Sequence, residues 1–359
     1  MNKTDRAAIL PLPGDPFLFN LWLKFYDKYW GQAINTLYVH LNAPVEEAVV
    51  KYISKLCESR NIFLMYTPNY TDHGNAINQL LDVVTEKYVM LIEDDAFIWN
   101  ADVVDAAFAL LESGNFDIVG SKRGSCATEI LEAANQKWDI PTSGLGDQGP
   151  NFWPCYFFSS VELLKKTDRN FNARAWYRGE TIEPLGCEVD VDVVYGDTFV
   201  NTSLQLRAIV PPHRIAYLPQ YHSHPDDMRH ADKSEFLFDG QAPWCHIGSL
   251  SSGMSGLLKD NNNRPLANRS HLDPENETVL QNAPNTEMEK MEYERRVQIW
   301  LTAWKVAAED PLLPITKHGI IEFLNEYHDS IQRVIRDFGL SKENILKRMR
   351  VYQDRLFKL

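Results

Sequence analysis

Only five cysteines are scattered through 359 residues, at 57, 126, 155, 187 and 245, and no two form a C-x-x-C pair. Their number and spacing exclude a disulfide framework and a thiolate zinc site, and the expected compartment is a reducing one, the cytoplasm. No apolar run approaches the roughly 18–20 residues that a membrane span needs. The opening MNKTDRAAILPLPGD has no continuous apolar stretch ahead of its prolines and glycine, so no secretory leader is expected. Basic residues are the minority, 36 Lys and Arg against 49 Asp and Glu, for a net charge of −13. A chain of that sign does not grip nucleic acid over its whole surface, although a local basic patch is compatible with it. Internal repeats are missing. What is plentiful is apolar and aromatic residue, 44% and 11% of the chain, enough for a large α/β core with an extension.

The stretch around which the rest is organised is YVMLIEDDAFIWN, residues 88–100. An apolar run at 88–92 reads as a strand buried on both faces, as in the middle of a parallel sheet. It delivers Glu93, Asp94 and Asp95 in succession. Three carboxylates at a buried strand end repel one another and are costly to desolvate. A divalent cation with oxygen ligands removes the conflict and completes its shell with substrate phosphates. The plainer alternative is a solvated acidic turn.

Around it, strands are expected at 7–12, 36–41, 61–66 and 116–120, and helices at 16–29, 45–58, 75–84 and 101–112. This short-spaced alternation implies an α/β fold with a doubly wound, mostly parallel sheet. Ligands in such sheets sit beyond the carboxyl ends of the strands, so 11–15, Asn42, 70–75 and 93–95 should share one crevice. Later expectations are a loop at 143–154, a strand at 155–159, helices at 161–166 and 198–207, and a strand at 214–218 running into YHSHP. The stretch 244–256 reads as a Gly/Ser-rich loop carrying His246, able to cradle an anion. The alternating acids Glu188, Asp190 and Asp192 are expected on one strand face. Trp153, Tyr156, Trp176 and Tyr177 are expected on the acceptor side, with core packing as the default for part of them. Residues 259–286 form a polar linker or flap, and 287–359 a C-terminal helical module whose last helix, 341–359, holds six Lys or Arg against two acids.

The order of ILPLPGD, NYTDHGNAINQLLD, VMLIEDDAFIW, GDTFVNTSLQLR and RIAYLPQYHSHP resembles the nucleotide-sugar-dependent glycosyltransferases of the GT-A (Rossmann-like) fold, most of all family 2. The resemblance implies a glycosyltransferase domain over 1–258, with a nucleotide-sugar-binding half (1–120) and an acceptor half (121–258). In that family the acidic element is the DXD motif. Carried over, Glu93 contacts the ribose, Asp94 lies beside the donor, and Asp95 binds Mn2+ or Mg2+ on the donor diphosphate. Pro11 and Asn42 frame the base, with Asn42 standing where the family often has Asp. His73, Gly74 and Asn75 lie against the nucleotide. Asp197 is the candidate catalytic base, although the family's preceding acid is here Gly196. His222 or His224 completes the metal shell.

These assignments imply transfer of a sugar from a nucleotide donor, a UDP-sugar, to a hydroxyl acceptor (a glycan, a small molecule or modified DNA), with inversion if Asp197 is the single base. Three alternatives stay open. A phage-type DNA glycosyltransferase acting on hydroxymethylated bases fits the basic last helix but not the overall charge. A nucleotidyltransferase would carry a basic residue in the turn after the first strand, which LPLPGDPF lacks. A sugar-nucleotide-binding relic would keep the fold without catalysis.

Overall fold

The structure is a computed structural model that describes residues 3–120 apart from 44, 46 and 99, then 127–138, 152, 154–218, 220–221, 235–238 and 241–246, with isolated positions 303, 306, 309, 310 and 312. The first half alternates as the apolar periodicity requires: β1 (Arg6–Leu12), α1 (Pro16–Phe25), β2 (Thr36–Leu41), α2 (Glu47–Glu58), β3 (Ile62–Tyr66), α3 (His73–Val83) and β4 (Tyr88–Leu91). Then come β5 (Ala96–Ile98), α4 (Ala101–Glu112), β6 (Ile118–Gly120), α5 (Thr128–Trp138), β7 (Phe157–Ser160) and α6 (Val161–Leu164). The remainder holds β8 (Arg174–Tyr177), β9 (Thr181–Ile182), β10 (Cys187–Glu188), β11 (Val193–Gly196), α7 (Val200–Ile209), β12 (Ile215–Tyr217), β13 (Gln220–Tyr221), β14 (Glu235–Phe238) and β15 (Gln241–His246).

Seven strands make the main sheet, in the order β12-β6-β7-β4-β1-β2-β3. Every neighbouring pair is parallel except those of β7, which runs antiparallel to β4 and β6. Successive residues of the central strands alternate between two cores. Ala8, Leu10, Leu37, Val39 and Met90 pack with α1, α2 and α4, whereas Ala7, Ile9, Tyr38, Val89 and Leu91 pack with α3, α6 and α7. The sheet is thus mixed, mostly parallel and flanked by helices on both faces.

Two features of the sheet position the site. Chain order reverses between β1 and β4, which opens a crevice at their carboxyl ends. β1 runs straight through Pro11 instead of breaking there. The Ile9 carbonyl accepts from Ile92 N–H, and by alternation residue 11 faces the same side, past the end of β4, so its missing N–H costs no ladder bond. Beyond β4 the chain crosses into a second, antiparallel sheet, β13-β14-β15-β5. Residues 93–95 are the turn between the two sheets.

Several expectations change. The helix expected to residue 29 ends at Phe25, followed by a π-helical turn, Tyr26–Trp30, whose two terminal rings meet edge-on at 5.0 Å. Residues 241–246 form β15, paired with β5, and are not part of a loop. Glu188, Asp190 and Asp192 do not share a strand, because a bend separates β10 from β11 and Val189 turns inward. Of the later helical stretch, Ala303 and Val306 join the core that holds α1 and α2. Asp310 accepts from Asn20 Nδ2 and from the Tyr52 hydroxyl, each at 2.9 Å. Residues 259–286 and the last expected helix, 341–359, lie outside the described residues.

Candidate functional site

The turn at 93–95 is fixed from both ends. Ile92 N–H donates to Ile9 at 3.1 Å, Ala96 N–H closes the turn onto the Glu93 carbonyl at 3.1 Å, and Trp22 Nε1 donates to the Ala96 carbonyl at 2.9 Å. Asp94 and Asp95 are only 4% exposed, and Glu93 is half-buried. In the strand register His246 of β15 stands opposite Ala96, the residue after Asp95. No group of three or more His, Cys, Asp or Glu able to hold a metal occurs among the described residues. His222 and His224 lie outside them. The donors present are adjacent buried carboxylates, hard oxygen ligands of the kind Mg2+ and Mn2+ take.

Asp197 comes within electrostatic reach of this turn. It follows β11, accepts from Thr198 N–H at 2.7 Å, and its carbonyl accepts from Val200 N–H at 3.1 Å. Phe199, the third residue of that turn, has φ 73° and ψ −7°, the left-handed geometry for which a type II turn favours glycine. A bulky residue there costs about 1–3 kcal/mol and persists only where its surroundings impose it. Here they do. The ring stacks on Phe171 at 5.5 Å and meets Phe157 edge-on at 4.8 Å, while Phe199 N–H donates to the Phe171 carbonyl.

Asp197 is open to solvent, yet the protein surrounding it raises its pKa above the usual carboxylate value. Desolvation is the largest cause. The Thr198 amide opposes it, the negative charge of Glu93 adds to it, and His73 opposes it. His73 Nε2 lies 3.8 Å from Glu93 Oε1. Glu93, His73 and Asp197, from three separate elements, therefore share one electrostatic environment.

What assembles them is the segment 168–172. Asn172 Oδ1 accepts from Gly74 N–H at 2.8 Å, Asn78 Nδ2 donates to the Arg169 carbonyl, and Arg169 reaches Asn78 and Asp82 on α3. The same segment binds α7: Asn201 Nδ2 donates to Asp168, and the Thr202 hydroxyl donates to the Asn170 carbonyl. It is a strut between the length of α3 and the N-terminal end of α7. A Cβ on Gly74 would lie 2.5 Å from the Asn172 nitrogen, so glycine there admits Asn172. Asn75 is exposed, and its amide and side chain both donate to Asp72, the N-cap of α3. The Gly74 and Asn75 amides are thus engaged by the protein itself.

Pro11 is buried within β1, in register with His40. Asn42, 5% exposed, donates from Nδ2 to the Thr71 carbonyl at 2.7 Å. That bond fixes the amide orientation and leaves Oδ1 as a buried acceptor with no hydrogen-bond partner among the described residues. Of the aromatics expected on the acceptor side, Tyr156 and Trp176 are core residues, 0% and 1% exposed, Tyr177 is exposed, and Trp153 lies outside the described residues. Sequence reasoning missed Asn172, Arg169 and Phe199, since polar loop residues and an aromatic in a glycine-like turn carry no periodic signal.

No protein-family model matches the chain, and no curated protein matches it. Among solved structures it is similar to the mannosyltransferase PcManGT from Pyrobaculum calidifontis in complex with GDP-Man and Mn2+, at 10% identity and TM-score 0.39 over 95% of this chain and 84% of that one. It is also similar to S. aureus TarS 1-349 in complex with UDP-GlcNAc, at 13% identity and TM-score 0.38 over 92% of each chain. A third likeness is 4-diphosphocytidyl-2C-methyl-D-erythritol synthase from Anaerococcus prevotii DSM 20548, at 12% identity and TM-score 0.35 over 64% of this chain and 95% of that one. Likenesses this shallow do not choose among chemistries.

Proposed function

We propose that the chain is a metal-dependent glycosyltransferase of the GT-A fold, akin to family 2, that moves a sugar from a nucleotide donor, a UDP-sugar, to an acceptor hydroxyl with inversion. The supporting observation is the joint placement of the Glu93–Asp95 turn, at the crossing from the main sheet to the second sheet, with Asp197 within electrostatic reach of Glu93 and His73.

In this reading Asn42 Oδ1, already a buried acceptor, receives the imide N–H of uracil, and Glu93 receives a ribose hydroxyl. His73, 3.8 Å from Glu93, steadies that side chain. Asp95, with Asp94 beside it, would hold Mn2+ or Mg2+, with His222 or His224 as further ligand. When bound, that ion supplies Lewis-acid stabilisation to the departing diphosphate. Asp197 takes the proton of the attacking hydroxyl, and its raised pKa makes it a stronger base than an ordinary aspartate. A single carboxylate opposite the leaving group means attack from the far face and inverted configuration. His246, on the strand beside the acidic turn, remains a candidate for the donor side.

The test is turnover of a panel of UDP- and GDP-sugars with manganese, followed by release of nucleoside diphosphate. The reading expects slow hydrolysis of at least one donor, abolished by Asp95→Ala. Asp197→Asn should keep donor binding and lose transfer. A parent protein that turns over none of them, or an Asp95→Ala variant as active as the parent, rejects it.

A further inference from the structure

Strands β8 and β11 pair as an antiparallel ribbon, with Tyr177 opposite Val193, Trp176 opposite Val194, and Tyr195 opposite Ala175. Alternation splits it into two faces. Trp176 and Val194 are buried in the third core cluster with Val200 and Leu204. Tyr177 and Tyr195 stand on the other face, 58% and 64% exposed. Such diagonal neighbours sit about 7–8 Å apart, within reach of one flat ligand. The alternation runs on past the strand: Tyr195 is exposed, Gly196 buried and Asp197 exposed, so both tyrosines share a face with the proposed base. An exposed tyrosine alone means little. Two on one face of a paired ribbon, in line with that carboxylate, are a stronger signal.

The charge of this lobe narrows the occupant. Residues 174–192 carry five acids, Glu180, Glu183, Glu188, Asp190 and Asp192, all exposed, against two arginines. Arg178 is paired with Asp192 at 2.9 Å, and Arg174 lies over the Trp176 ring. A polyanion is repelled from such a surface, whereas a neutral pyranose, with apolar C–H faces and hydroxyl edges, suits tyrosine rings in an acidic stretch of chain. We propose that the Tyr177–Tyr195 face is the acceptor subsite and that the acceptor is a neutral glycan whose ring stacks there and presents a hydroxyl to Asp197. This rests on the transferase reading above.

The test applies methyl pyranosides and disaccharides of glucose, galactose, mannose and N-acetylglucosamine to the full chain, read by saturation-transfer NMR. At least one sugar should show ring C–H contact. Its affinity should fall about tenfold in Tyr177→Ala/Tyr195→Ala and persist in Tyr177→Phe/Tyr195→Phe. UDP binding with manganese, measured on the same samples, should be equal in parent and variants. Equal sugar signals in parent and double alanine variant overturn the subsite. So does a parent that ignores every neutral sugar and binds a single-stranded DNA oligonucleotide instead. Tyrosine-dependent sugar binding in a protein that takes no nucleotide would sink the transferase reading, and the acceptor role with it, leaving only a sugar-binding face.

Discussion

Gly196 lies against the ring of Trp176. A Cβ at position 196 would stand 2.9 Å from Trp176 Cζ3 and 2.9 Å from Val200 Cγ1. The space beside Asp197 is filled by an indole, which is why glycine stands at 196. Gly196→Ala should destabilise the fold by about 1–3 kcal/mol through overpacking. Gly196→Glu should cost more, since it adds a charge to a buried site. Urea unfolding of both variants checks the order.

Asp197 makes a paired prediction about activity and pH. Its folded-state pKa is raised, so the folded protein holds this proton more tightly than the unfolded chain. The group favours folding most at acid pH, and that contribution is lost as pH rises from the unfolded value through the folded one. Asp197→Asn should therefore melt higher than the parent at pH 7, with the difference vanishing near pH 3. Transfer should collapse in the same variant. The parent's acceptor kcat/KM should show an acid limb above the ordinary aspartate value of about 3.9. Melting curves and a pH–rate profile measure the two halves separately.

The clasp between the first helices and residue 310 offers a third test. Tyr52 accepts from Asn20 Nδ2 at 2.6 Å and donates to Asp310 at 2.9 Å, in a largely buried setting. Tyr52→Phe removes both bonds, leaving the Asn20 amide and the Asp310 carboxylate each with one bond fewer while Asn20 Nδ2 still donates to Asp310. The expected cost is about 1–3 kcal/mol in urea unfolding, with little change in nucleotide binding. A loss of nucleotide affinity as large as that of Asp95→Ala would mean that this clasp, remote in sequence from the turn, is part of the site.

How much of this was legible follows from the local physics. β1 to β4 could be read because strands buried on both faces are continuous apolar runs, and the helices between them carry one apolar side. The acidic turn stood out because three carboxylates ending such a run are chemically expensive. The β8–β11 region could not be read in the same way. Its strands are two to four residues long and take their definition from partners across the ribbon. Alternating Glu188, Asp190 and Asp192 imitated a strand that the bend before β11 interrupts. β15 contains Pro243 and borders glycine-rich sequence, and only its pairing with β5 makes it a strand. Gly74 drew notice as a nucleotide contact, and no periodic signal announced the close approach it also permits to Asn172, nearly a hundred residues away, at 2.8 Å.

The most direct measurement of the central claim is calorimetric titration of UDP into the parent and into Asp95→Ala, with and without manganese. The account predicts binding that requires manganese in the parent and vanishes in Asp95→Ala, whose unfolding is otherwise unchanged apart from the stabilisation a bound ligand confers. UDP and GDP both failing to bind with manganese, or binding equally to parent and Asp95→Ala, would contradict it.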